Sequence, residues 1–234
     1  MTGTLAELWV AALVLLLTHF GISSTSLRPA LVKALGEGIY RAFYSVLALA
    51  VFVWFILAFR AAPPGPLLWS LPTLGAAVAV VLMPFAFLFL VAGISQPNPT
   101  SVGSPKGPDD PGVSRGVLRI TRNPVMWGIG LWAVAHMVAN GDLKSVGFFG
   151  TLAVLALLGA GLIDLKNRRS RPREFAPFEL ATSNLPFLAI AQRRQQFGQA
   201  LKEIGWIRLA VTVVLYAALL HGHAWLFGVR AYPG

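Results

Sequence analysis

The sequence predicts an all-α, polytopic membrane helix bundle with about six transmembrane helices. Three observations predict it. Of 234 residues, 56% are hydrophobic and only 12% are charged, about half the share of an ordinary soluble domain, which is about 25%. The apolar residues gather into runs of the length that crosses a ~30 Å hydrocarbon core, which takes ~20 helical residues. The charges lie between those runs, because a charge at the bilayer centre is costly.

The runs fall at Leu5–Phe20, Ile39–Phe59, Leu71–Gly93, Val125–Ala139, Ser145–Ile163 and Trp206–Gly228. Helix is expected for each, since lipid offers no partner for the amides of an open strand. The first run lacks a basic region before it, carries Glu7, and has no small-residue cleavage site after it, so it reads as a retained span rather than a signal peptide. The fourth run is short and opens on Pro124, which suits the first turn of a helix, where its missing N–H costs nothing. The stretch Ala139-Asn-Gly-Asp142 reads as a helix C-cap and turn. Between spans, Gln96–Gly116 is rich in Pro, Gly, Ser and Asp and is expected to be irregular. The longer Leu165–Gly205 loop is basic and is expected to hold a surface helix near Ile190–Leu201. Neither a fixed-period repeat nor a low-complexity tract divides the chain, so one membrane domain covers residues 1–234.

Sixteen of the nineteen Lys and Arg residues lie in the loops joining spans 1–2, 3–4 and 5–6 or at their edges, leaving Arg60, Lys144 and Arg230 on the other face. The positive-inside rule then places both termini on the non-cytoplasmic side of a cytoplasmic membrane. The net charge of +10 accordingly points to a membrane surface and lipid, not to nucleic acid.

With no cysteine, disulfides, thiolate-bound zinc, iron–sulfur clusters and thiol nucleophiles are excluded. Walker, Rossmann and HExxH patterns are absent as well. Few carboxylates approach the spans, Glu7 and Asp164 near span ends, which argues against a carboxylate-pair hydrolase or a proton pump. What remains is imidazole. His19, His136, His221 and His223 all fall in or beside spans, where a histidine either links helices by a hydrogen bond or, facing the interior, ligates a metal or haem iron. The segment Gly116-Val-Leu-Arg-Ile-Thr-Arg-Asn-Pro124 adds Arg119 and Arg122 at the basic interface, either as topology anchors or as an anion site.

Several blocks resemble the NnrU family of membrane proteins. They are His19-Phe-Gly-Ile-Ser-Ser24 with Leu27-Arg28; Leu35-Gly-Glu37 and Tyr40-Arg-Ala-Phe-Tyr-Ser45; Arg115 to Pro124; Trp132-Ala-Val-Ala-His136; Asn140-Gly-Asp142; Thr182-Ser183; Pro186-Phe187; and His223-Ala-Trp-Leu-Phe-Gly228. They run in order along essentially the whole chain. The resemblance implies a bacterial inner-membrane protein linked to nitrite and nitric oxide respiration, carrying haem b. A plant relative of the family isomerises one cis double bond of a carotene when its iron is reduced. Its two iron ligands correspond to His19 and His136. Arg28, Arg119 and Arg122 would then meet the haem propionates, and a hydrophobic small molecule would be the substrate. Two positions depart from the pattern: Asn123 stands where the family has histidine, and Ala133 where the plant relative has a cysteine. The Arg122-Asn-Pro124 segment also resembles integral membrane methyltransferases that bind S-adenosylmethionine, with Glu174 and Glu179 as possible acidic counterparts.

Drawn from the spans alone, His19 and His136 lie roughly 20 Å apart in depth at ~1.5 Å per residue, too far for one iron. Three arrangements remove the conflict. Span 4 starts deeper, with Val117–Asn123 buried; span 1 continues past His19 toward Ser24; or His223, also near the outer end of its helix, is the partner of His136.

Overall fold

The computed structural model describes residues 2–22, 25, 27–101 and 112–231. Lys106 and the middle of the Gln96–Gly116 loop, residues 102–111, lie outside these residues, as do Ser23 and Ser24. In order, the helices are α1 (Leu5–Leu16, continued as a π-helix over Leu17–Ile22), α2 (Leu27–Leu35), α3 (Glu37–Ala61), α4 (Pro72–Ser95), α5 (Pro124–Ala139), α6 (Leu143–Ser170), α7 (Pro172–Ala181), α8 (Leu188–Ala191), α9 (Phe197–Ile204) and α10 (Trp206–Phe227). No strand occurs among the described residues, only one isolated bridge between Leu67 and Asp142.

α1 with its π segment, α3, α4, α6 and α10 are each long and apolar enough to cross a membrane. α5, with 16 residues, spans roughly 24 Å and falls short of the ~30 Å core. The bundle of about six helices expected from the sequence is thus present as five long spans and the short fourth one, α5. α5 starts late because residues 116–123 before it form a buried run, a 3-10 turn over Gly116–Arg119 followed by irregular chain, almost all of it enclosed by protein. Irregular backbone at such a place survives only when protein satisfies its polar groups. Here the N–H of Arg122 donates to the Ser183 carbonyl at 2.9 Å, that of Gly116 to the Glu203 carboxylate at 2.7 Å, and that of Val117 to the Gln96 side chain at 3.0 Å. Gly116 has φ +56°, and a Cβ there would lie 2.3 Å from the Gln96 amide, so a side chain would both strain the backbone and displace the Gln96 bond.

Two apolar cores hold the bundle. At the end away from the basic loops, Leu8, Leu15, Phe55, Ala58, Ala133 and Phe148 are buried together. At the basic end, Phe89, Leu118, Ile120, Phe175, Phe178 and Ile204 form a cap. α4 and α5 run antiparallel in close contact because Gly128 lets Ala86 and Leu90 approach; a Cβ on Gly128 would sit 2.8 Å from Leu90 and 2.9 Å from the Ala86 carbonyl. Replacing Gly128 by Val is therefore expected to lower folding stability by about 1–3 kcal/mol through overpacking, read as a lower midpoint of unfolding in detergent.

The polar turns also have internal partners. Asn140 ends α5, and Asp142 caps α6 by accepting from the Ser145 N–H at 3.0 Å, so the predicted turn is also a helix start. The α3–α4 loop is laced to this turn by Leu68 N–H to the Gly141 carbonyl at 2.7 Å and by the Trp69 indole to the Val138 carbonyl at 3.1 Å. The surface helix expected near Ile190–Leu201 is instead two pieces, α8 and α9, broken at Arg193 with its positive φ of 59°.

α9 is clasped to the 116–119 turn by an Arg119–Glu203 pair with two contacts of 2.8 Å. The Arg119 guanidinium, with the Gly116 N–H and the Gln199 amide, holds the Glu203 carboxyl down at about 2. Because the folded pKa lies below the unfolded one, this stabilisation is complete above pH ~4.5 and fades as pH falls toward ~2. Glu203→Gln is expected to cost about 1–3 kcal/mol at pH 7, with the difference from wild type vanishing in unfolding curves near the acid limit.

Much of the remaining surface is apolar. Val46, Leu49, Val213, Val214 and Phe227 are all more than half exposed, and this outward face is what lipid contacts. Trp206 and Trp225, 77% and 87% exposed, sit nineteen residues apart on α10, roughly 28 Å, the spacing of two interfacial aromatic anchors.

Candidate functional site

A cavity of about 590 Å³ lies inside the bundle, within the size range of small-molecule sites. Its walls come from α3 (Phe52, Ile56), α4 (Met83, Phe87), α5 (Met126, Trp132), α6 (Phe148, Leu152), α10 (Leu219) and the π segment, which contributes His19. Apart from His19 the lining is almost wholly apolar or aromatic. π-Helical turns often mark functional positions because they shift one side chain out of helical register.

Three of the four histidines share one local geometry. Nδ1 of His19 lies 2.9 Å from the Leu15 carbonyl, Nδ1 of His136 2.8 Å from the Trp132 carbonyl, and Nδ1 of His223 2.8 Å from the Val229 carbonyl. A carbonyl only accepts, so in each ring Nδ1 carries a proton. Metal-ligating imidazoles are commonly fixed by this kind of bond. His221 is exposed on α10, in keeping with an interfacial residue.

The depth conflict largely dissolves in the structure, and α6 serves as the ruler. Leu5 of α1 and Leu143 of α6 both meet Gly65, and Trp9 lies against Gly147, so the two helices run in parallel. Ten residues past Trp9, His19 falls level with about residue 157 of α6, which packs on Gly130 of α5. His136 is six residues beyond Gly130, roughly 9 Å rather than 20 Å. Two of the three anticipated arrangements coexist: the run 116–123 is buried below α5, and the first helix continues past His19 to Ile22.

His223 is near His136 as well. The rings of His136 and His223 lie 6.4 Å apart. His136 also packs on Trp132 at 4.9 Å and Phe149 at 5.1 Å. Since Trp132 lines the cavity, His136 stands one layer behind the wall, while His19 faces in. Each of His136 and His223 follows a lining residue, Trp132 and Leu219, by one helical turn. His19 packs edge-on against Tyr44 at 6.2 Å. The chemistry of this donor set fits a haem iron, which takes neutral imidazole nitrogen. No cluster of three or more His, Cys, Asp or Glu suited to a bare metal ion occurs among the described residues.

The arginines are engaged elsewhere. Arg28 pairs with Glu37 at 2.9 Å and lies over the Tyr40 ring. Arg119 is clasped by Glu203. Arg122, 5% exposed, donates to Asp164, 3% exposed, at 2.9 Å through Nε, and to the Thr182 carbonyl at 3.2 Å through Nη1. Asn123 donates its amide to the other Asp164 oxygen at 3.0 Å and to Asn184 at 3.3 Å, and the Trp127 indole reaches the same Asn184 oxygen at 3.2 Å. Glu179 accepts from Arg168 at 2.7 Å. Each anion that Arg28, Arg119 and Arg122 meet is thus a carboxylate of this chain. Sequence reasoning noted Asp164 but gave it no partner; two opposite charges at the same membrane boundary were the available signal, since such groups pair.

The comparisons with known proteins follow the geometry. A chloroplastic 15-cis-zeta-carotene isomerase of Arabidopsis thaliana is 30% identical over 191 residues, covering 78% of this chain and 50% of the relative. The chain thus spans about half the length of that relative. No solved structure matches. The family model described as NnrU protein matches residues 7–231, and the chain belongs to the NnrU family.

Proposed function

We propose that the protein is a membrane isomerase-type enzyme acting on an elongated apolar polyene, with haem b as its redox cofactor. The observation that carries this reading is the apolar cavity, closed to the basic loops and bordered by imidazole. The similarity to a carotene isomerase supports the substrate class.

His19, from the cavity wall, and His136, from behind Trp132, would hold the iron, with His223 the alternative partner of His136. Bound haem would supply a one-electron redox centre and, once one ligand is released, an open face at the iron. The chain's own residues do the rest. Trp132, Phe52 and Phe148 offer flat faces for a conjugated chain. The Met83 and Met126 side chains adapt to its shape. Apolar walls exclude water from any reactive state. The Nδ1–H bonds to Leu15 and Trp132 hold the imidazoles oriented. The basic end would face the cytoplasm of a bacterial inner membrane.

The paired state of Arg122 and Glu179 gives no support to an S-adenosylmethionine site. A sensor or assembly role in nitrogen-oxide respiration would share the haem and lack turnover. Incubating the purified, dithionite-reduced protein with a 15-cis carotene in lipid vesicles tests the enzyme reading. Conversion of the cis bond, seen by chromatography and absent without reductant, is expected; no conversion by haem-loaded protein would leave the sensor reading.

A further inference from the structure

We infer that the cavity receives its ligand sideways from the bilayer, through a mouth between α3 and the α4–α10 pair, and that Tyr216 is the positioning residue that sets this mouth. The polyene class rests on the proposed function; the mouth and the latch rest on geometry alone.

The helices around the cavity do not close evenly. α3 leans on α1, and α4 on α5 and α10, while among the described residues α3 packs along neither α4 nor α10 over more than a marginal contact. The cavity wall reaches this gap with Phe52 on α3, Met83 and Phe87 on α4 and Leu219 on α10. Phe52 is 38% exposed, so it faces both the cavity and the lipid. An apolar molecule dissolved in the bilayer meets no polar barrier there.

The latch begins with Pro84 in the middle of α4. A proline has no N–H, so the carbonyl four residues earlier loses its helical donor. That carbonyl belongs to Val80, and the Tyr216 hydroxyl of α10 donates to it at 3.2 Å. In hydrocarbon an open carbonyl is costly, so the bond ties α10 to α4 at the height of the cavity. The Tyr216 ring also packs on Phe87, 6.1 Å between centroids. α10 is also tied to the end of α4 by Arg208, which donates to the Ser95 hydroxyl at 2.8 Å and to its carbonyl at 3.1 Å, but only 6% of its most apolar stretch is buried, which leaves Tyr216 to fix it at the height of the cavity. Its position decides where Leu219 covers the cavity and where His223 meets His136.

The chain has no cysteine, so spin labels can be placed freely. Labels at Leu49→Cys on α3 and Val214→Cys on α10, both lipid-facing, report the width of the mouth in lipid nanodiscs. Tyr216→Phe keeps the ring and removes the donor. Pro84→Ala gives Val80 an intrahelical donor and makes Tyr216 redundant. Both are expected to broaden the distance distribution outward, by a roughly two- to ten-fold gain in the open population for one lost hydrogen bond, and the double variant is expected to add nothing. An unchanged distribution in both single variants overturns the latch. An iodophenyl diazirine dissolved in the same bilayers is expected to label the Met126–Trp132 peptide on photolysis, more so in Tyr216→Phe. Labelling confined to outward residues such as Val53 and Val213 overturns lateral entry. Both measurements are made without haem, so a failed haem assignment leaves them intact.

Discussion

Replacing His136 by Ala is expected to reduce haem recovered with the purified protein at least ten-fold, with haem supplied during expression. His136 is the imidazole common to both ligand pairs, and loss of one axial ligand typically lowers binding by an order of magnitude or more, as removal of lesser second-shell groups already costs ~10–100-fold. His19→Ala is expected to have the same effect, because His19 faces the cavity. His221→Ala is expected to leave the Soret band intact. If His223→Ala removes the band and His19→Ala does not, the ring 6.4 Å from His136 is the second ligand and the haem sits beyond Trp132. Equal haem in wild type and His136→Ala would show that these rings only join helices.

The second large effect belongs to the basic cap. Asp164→Ala is expected to destabilise the fold by about 3–5 kcal/mol, the usual cost of stranding one partner of a buried ion pair. Arg122 would keep the Thr182 and Glu179 carbonyls and the Glu179 carboxylate at 3.4 Å but lose its nearer, buried countercharge at 2.8 Å, and the Asn123 amide would lose an acceptor. The double replacement Arg122→Met with Asp164→Leu removes both charges and is expected to recover part of the loss. Unfolding of the detergent-solubilised protein, followed by far-ultraviolet circular dichroism, measures both. A single-variant loss below about 1 kcal/mol would mean that water reaches the pair and that the cap is not a dry structural unit.

The two effects separate two regions that the sequence runs together. Arg119, Arg122, His19 and His136 all appear in blocks shared with the family, and the resemblance implied one haem site containing all of them. The structure divides them. The arginines close a cap of carboxylates at the basic end, and the imidazoles border a cavity deeper in the bundle. Asn123, where the family has histidine, belongs to the cap, where its amide bridges Asp164 and Asn184. Ala133, the other position that departs from the family resemblance, is fully buried in the same apolar core as Ala12 and Leu15.

The spans themselves were legible because apolar runs bounded by charge have one reading in lipid. α3, α4 and α10 start and end within two residues of their predicted limits. Legibility failed where tertiary partners decide the outcome. α6 continues to Ser170 because Asp164 and Asn167 are buried against the cap rather than exposed to headgroups. Nothing local in Leu17–Ile22 announces a π-helix. The buried run before α5 has the composition of an interfacial loop, and only its partners Gln96, Ser183 and Glu203, from distant parts of the chain, turn it into core. Pro84 was visible in the sequence and implied an open carbonyl at Val80; the donor on α10 was not.

The account stands most directly on the absorption spectrum of the wild-type protein, purified in detergent after expression with added haem, in oxidised and dithionite-reduced forms. A Soret band that shifts on reduction and sharpens into the visible bands of a six-coordinate, bis-imidazole haem is the predicted result. A colourless protein, folded by circular dichroism, would contradict it.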